Sequence, residues 1–136
     1  MTLDAYPVES LHHAIKRGDT LHIAHYLETG GDANLCAQFG TTLLMLAAQE
    51  GHRPIIDLLL HAGADINAVS QHQHTAVSLA ALAGHTGVVE HLLDRGALLP
   101  TEAGGASLVG LLRHYGSSRQ HVIDLLQSRA TTPSDA

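Results

Sequence analysis

Apolar side chains cluster twice at helical spacing between Phe39 and Asn67. Leu44 and Ala47/Ala48 share one face of the first cluster. Ile55/Ile56 and Leu59/Leu60, at i, i+4 spacing, share one face of the second. Gly51 and Gly63 follow the two clusters, and glycine reaches the left-handed angles that end a helix. The pattern predicts two short helices joined by a tight turn. It then recurs at an interval of 33 residues: Gly18, Gly51 and Gly84; Gly30, Gly63 and Gly96; Leu27, Leu60, Leu93 and Leu126; Asp32 and Asp65; Asn34 and Asn67; His52 and His85. Four copies of one helical unit predict a solenoid in which each unit buries its apolar face against the next.

The unit resembles the ankyrin repeat, a β-turn plus two helices of the same length. The residues that carry the match are Gly40-Thr41-Thr42-Leu43-Leu44-Met45-Leu46-Ala47-Ala48, Gly51-His52, Ile55-Ile56, Leu59-Leu60 and Gly63-Ala64-Asp65-Ile66-Asn67-Ala68. The expected fold is all-α: an ankyrin-repeat solenoid of four 33-residue helix-turn-helix repeats with β-hairpin loops. The repeats span about residues 5–37, 38–70, 71–103 and 104–130 of one domain (1–130), with a flexible tail at 131–136.

Each copy departs from the family pattern in its own way. Leu43 and Met45 stand where proline and histidine are usual, and repeat three also lacks the proline. Losing that preset φ costs roughly 0.5–1 kcal/mol through the unfolded state. Thr42 remains to cap its helix, Pro54 suits a first helical turn, and so does Pro7 in repeat one. Gln73 replaces Gly40 in the second hairpin, which predicts a less regular turn there. In repeat four, Arg113 stands for Ala80 and Arg129 for Gly96, as expected of a polar end that nothing covers. Leu108, Leu111 and Leu112 should still pack back on repeat three.

Composition agrees with a solenoid. Aromatics make up 3% and Trp is absent from the 136 residues, and stacked repeats need only Leu, Ile, Val and Ala. A net charge of −6 argues against nucleic acid as the main partner. Cys36 is the single cysteine, so no intramolecular disulfide forms. No stretch reaches the roughly 20 apolar residues of a membrane span. The N-terminus carries no secretory signal as written. A cytoplasmic monomer with no membrane partner is the expectation, a form with its leader already removed being the alternative.

The 12 histidines are the main candidate chemistry. His22 and His25 at i, i+3 beside His12/His13, and His72 and His74 on a loop, could each offer imidazoles to a metal. Neither set is a complete ligand set, and no cofactor is expected. The family uses histidines such as His52 and His85 to tie adjacent repeats, and His12 stands at a family histidine position. The Ala103-Gly104-Gly105-Ala106-Ser107 stretch lacks the Gly-Lys-Ser/Thr ending of a phosphate loop and reads as a hairpin tip. No nucleophile elbow, His-Glu-x-x-His or cysteine pair points to catalysis.

The resemblance implies a non-catalytic module that binds a protein partner along a concave groove of hairpin tips and first-helix ends. By the 33-residue period these positions are Lys16 and Arg17; Gln38, Phe39, Thr41, Gln49 and Glu50; Gln71, His72, His74, Leu82 and Ala83; and, more weakly, Gly105, Ser107 and Tyr115. Phe39, the only Phe, is either an exposed anchor or packed on the neighbouring hairpin. Two alternatives remain: an inhibitory, immunity- or antitoxin-like partner of a toxin or enzyme, and a histidine-based metal- or pH-responsive binder.

Overall fold

The structure, a computed structural model, describes residues 8–98, 102–103 and 106–131. Pro7, Gly104, Gly105 and residues 132–136 of the expected tail lie outside the described residues, as does the Arg129 side chain. The regular structure of the described part is helical apart from an isolated bridge and a two-residue antiparallel ladder, β1 (Glu102–Ala103) with β2 (Ala106–Ser107). The helices form four pairs: α1 (Val8–Arg17) with α2 (Thr20–Glu28), α3 (Leu43–Glu50) with α4 (Arg53–His61), α5 (Ala76–Ala83) with α6 (Thr86–Asp94), and α7 (Leu108–Arg113) with α8 (Gln120–Thr131).

The first helices pack in one row, α1 on α3, α3 on α5 and α5 on α7. The second helices follow behind them, α2 on α4 and α6 on α8. One core runs the length of the stack through Leu11, Ile23, Leu44, Ile56, Val77, Val89, Leu108, Leu112, Val122 and Leu126. Leu111 is half-buried against it. Leu43 and Met45, the departures from the family pattern, are both fully buried, so they are exchanged for core volume.

The helix starts follow from local chemistry. The Thr42 hydroxyl accepts from the Met45 N–H at 3.1 Å. Thr75 and Ser78 cap each other reciprocally, the Ser78 hydroxyl accepting from the Thr75 N–H at 2.8 Å and the Thr75 hydroxyl from the Ser78 N–H at 3.2 Å. The first helices end on left-handed glycines, Gly18 (φ +73°), Gly51 (φ +78°) and Gly84 (φ +84°).

Two hydrogen-bond ladders lock neighbouring units. The His52 Nε2 donates to the Lys16 carbonyl (3.3 Å) and the His85 Nε2 to the Gln49 carbonyl (3.0 Å). A carbonyl only accepts, so Nε2 carries the proton in both. The third rung is Arg119, whose Nε donates to the Leu82 carbonyl at 3.0 Å. Lys16, Gln49 and Leu82 are 33 residues apart, whereas Arg119 lies 34 after His85 and is not a histidine. The second ladder uses asparagine. Asn34 Oδ1 accepts from the Asp65 N–H (2.6 Å), and Asn67 Oδ1 from the Leu98 N–H (2.8 Å). Asp32 and Asp65 fold each loop by accepting from Asn34 N–H (2.8 Å) and Asn67 N–H (2.9 Å).

Two expectations are corrected, the turn at Gln73 and the length of α7, while the expected β-hairpin loops are present with short strands. The turn at Gln73 is regular: Ala37 N–H to Thr41 carbonyl (2.8 Å) and Gly40 N–H to Ala37 carbonyl (3.3 Å) reappear as Ser70 to His74 (2.9 Å) and Gln73 to Ser70 (3.0 Å). Gln73 achieves this by taking φ +65°, close to the +73° of Gly40. The hairpins are tight loops with little strand, the first holding only a single bridge between Cys36 and Thr42. Helix α7 stops at Arg113, three residues short of the 33-residue register, and a 3-10 turn (Gly116–Arg119) leads into α8. Gly110 inside α7 weakens that helix. At the far end α8 runs through Thr131, one residue into the expected tail.

Candidate partner-binding groove

The residues expected to line a groove fall in columns at equivalent points of successive units. The hairpin column holds Phe39 and His72, whose rings lie 4.8 Å apart and are tilted by 48°. The Gln71 N–H donates to the Phe39 carbonyl at 2.8 Å, so backbone as well as rings joins the two tips. The Phe39 ring packs on the neighbouring hairpin and still leaves 53% of the residue exposed. Its backbone is left-handed (φ 62°, ψ 21°), where a bulky side chain is an outlier.

The helix-end column runs Lys16, Gln49, Leu82 and Tyr115. The backbone carbonyls of the first three take the rungs of the ladder, which fixes their height while the side chains point on. Lys16, Arg17 and Gln49 are exposed; Glu50, Leu82 and Ala83 are half-buried. Arg17 faces Asp19 at 3.5 Å, a solvent-exposed pair. Lys16 and Arg17 suit the negative end of α1, whereas Glu50 in the last turn of α3 opposes its helix dipole.

The remaining sequence-derived positions divide. Gln71 and His72 are exposed, Thr41 and His74 half-buried. The His74 N–H donates to the Ser70 hydroxyl (3.2 Å), and Nδ1 lies 3.5 Å from the Ser78 hydroxyl. Burial, and then the charge of His72, push the His74 pKa below the ordinary histidine value. Tyr115 is exposed, but it follows the end of α7 and carries Arg119 over its ring at 4.7 Å, so it belongs with the C-terminal rung. The Gln38 and Ser107 side chains, and Gly105, lie outside the described residues.

Periodicity missed two exposed apolar residues on the hairpin side, Val69 (59% exposed) and Leu98 (72%). Val69 equals Cys36 in register and lies two residues from Gln71, beside the Phe39–His72 pair. Their signal was an apolar side chain at a position where the equivalent residue is polar: Leu98 stands where Asp32 and Asp65 do.

The histidine sets behave differently from ligand sets. His22 Nε2 lies 3.2 Å from the Ser10 hydroxyl, and His25 is exposed. Among the described residues, no three His, Cys, Asp or Glu side chains converge in a way that could hold a metal ion. On the second-helix side, His91 Nε2 donates to Asp57 Oδ1 at 2.6 Å and joins α6 to α4, with Arg95 3.6 Å from the same oxygen and Arg53 3.4 Å from Nδ1. A shallow depression of about 340 Å³ beside it is lined by Asp57, Leu58, His61, Ala62 and Arg95, its two charged side chains facing each other. No described helix is long and apolar enough to cross a membrane.

No curated protein matches the chain. The family described as "Ankyrin repeats (3 copies)" does, over residues 11–102, which covers the first three helix pairs and the asparagine and histidine ladders. Ankyrin repeats generally mediate protein–protein interactions and are typically non-catalytic. With the paired helices and the matched residues together, the chain belongs to the ankyrin repeat family.

Proposed function

We propose that the protein is a non-catalytic interaction module that holds a protein partner along the Phe39–His72 tips and the ends of α1, α3 and α5. The observation that carries this reading is Phe39. An aromatic side chain is half-exposed on a left-handed backbone that glycine would adopt without strain. Strain of this kind costs roughly 1–3 kcal/mol and collects at ligand-contacting sites. Glu50 supports the reading, since it opposes the dipole of the helix that carries it.

Exposed aromatics at the centre of an interface are frequent hot spots. Phe39→Ala is expected to weaken partner binding by about 1–3 kcal/mol with the fold intact. The test is capture of partners by wild type against a Phe39→Glu/Gln49→Lys double variant, followed by titration of the captured protein with Phe39→Ala. A partner recovered only by wild type supports the groove. Equal recovery and unchanged affinity move the interface elsewhere.

A second reading has its own observation. His74 is half-buried in the same hairpin as His72, and its pKa is lowered, so acidification places charge at the edge of the groove. Binding that weakens as pH falls from 7 to 5, and keeps its strength in His74→Asn, supports a pH-responsive binder; a flat profile removes it.

A further inference from the structure

The helix-end column is ordered by charge. Lys16 and Arg17 lie at one end, Gln49 and Glu50 in the middle, and Leu82 and Ala83 beyond. Lys16 is the only lysine of a chain with net charge −6, and no ion pair joins its ammonium group among the described residues. Among the described residues the ion pair of Arg17 is the exposed 3.5 Å contact to Asp19, which a competing carboxylate exchanges at little cost. Glu50 would repel an acid in the middle of the groove. Leu82 is half-buried against the core and leaves part of its apolar side chain exposed, and Phe39 and Val69 are exposed apolar side chains of the hairpins.

We propose that this groove is built for an extended peptide segment of defined order: an acidic residue against Lys16 and Arg17, a neutral or basic residue against Glu50, and a large apolar residue over Leu82. The proposal rests on the groove being the binding face and adds the chemistry of what it binds. Its spacing follows from the stack. Lys16 and Leu82 are two units apart, and packed helices lie roughly 10 Å from one another, so about 20 Å separates them. Extended chain rises about 3.3 Å per residue, which places the acid and the apolar residue about six positions apart.

The probe is a library of random 12-residue peptides displayed on phage and selected on the immobilised full chain. The enriched peptides are expected to carry Asp or Glu about six positions from Leu, Ile, Met, Phe or Tyr. A synthetic peptide of this kind should bind Lys16→Glu at least ten-fold more weakly, and changing its acid to Lys should restore binding to Lys16→Glu. Lys16 is exposed and its ladder contact is through the backbone, so that variant keeps the fold. Peptides that respond to Phe39→Ala but not to Lys16→Glu, or that lack the spacing, overturn the charge order and leave the groove standing. Peptides indifferent to both variants overturn the groove itself. Failure to enrich any peptide overturns the proposal, because an extended segment needs no folded partner to present it.

Discussion

Phe39 and Gln73 both carry a Cβ on backbone with φ above +60°, yet their surroundings differ. Phe39 returns a ring contact with His72 and an exposed face. Gln73 is exposed, and its turn is already closed by its backbone N–H on the Ser70 carbonyl. Its left-handed angle costs about 1–2 kcal/mol in a residue with a Cβ, against about 0.5–1 kcal/mol of extra unfolded-state entropy for glycine. Gln73→Gly is therefore expected to raise stability by about 0.5–1 kcal/mol, seen as a higher urea midpoint at unchanged m. His74 gives a second prediction at this scale. Burial lowers its pKa in the folded state, so below the ordinary value near 6.5 the unfolded chain takes up more protons than the folded one. Stability from His74 is full above pH 6.5 and is lost as pH falls through the depressed folded value. Urea midpoints at pH 7 and pH 5 should fall further apart for wild type than for His74→Asn. Neither effect was legible in the sequence. The substitution of Gln73 for glycine was visible, but whether the chain abandons the turn or strains to keep it depends on the hydrogen bonds that the loop makes.

At the scale of the helix pair, glycine and the ladder explain each other. A Cβ on Gly51 would come within 2.9 Å of the His85 ring, and a Cβ on Gly84 within 2.9 Å of the Arg119 guanidinium. The glycines thus end their helices and also leave room for the next unit's donor. His85→Ala should cost about 0.5–1.5 kcal/mol, the net worth of its bond to Gln49. Gly51→Ala should cost about 1–3 kcal/mol more than backbone strain alone, because the ring must move. In the His85→Ala background that extra cost should vanish and leave only the left-handed strain. A double-mutant cycle read by urea denaturation measures the difference. Gly51, His52, Gly84 and His85 were legible because all of them obey the 33-residue period. Arg119 was not, since the 3-10 turn before α8 shifts the rung by one residue and a guanidinium replaces the imidazole. His91 escaped because its register equivalent is Leu58, so no repeated pair marks its bond to Asp57, and Val69 and Leu98 were signalled only by being apolar out of step with the equivalent residues.

The described helix pairs form a row in which the main contacts join neighbours, so stability is close to a sum of unit and interface terms. The interfaces are unequal. Between the first three pairs, each junction has a histidine rung and an asparagine rung. In the register of Asn34 and Asn67 the sequence next carries Pro100, and proline has no side-chain acceptor for a further asparagine rung. Arg119 is a polar tie, among the described residues, to a pair whose first helix spans six residues. Its guanidinium is at once bonded to Leu82 and laid on Tyr115. This end should open before the rest. Native-state hydrogen exchange is expected to show the lowest protection in α7 and α8 and the highest in α3 and α5, whose neighbours lie on both sides. Arg119→Ala should speed exchange in residues 108–131 while leaving α3 and α4 unchanged, since units beyond the nearest neighbour are not coupled through that bond. A uniform increase across the chain would mean that the stack opens as one cooperative body, with the Arg119 rung coupled to every unit.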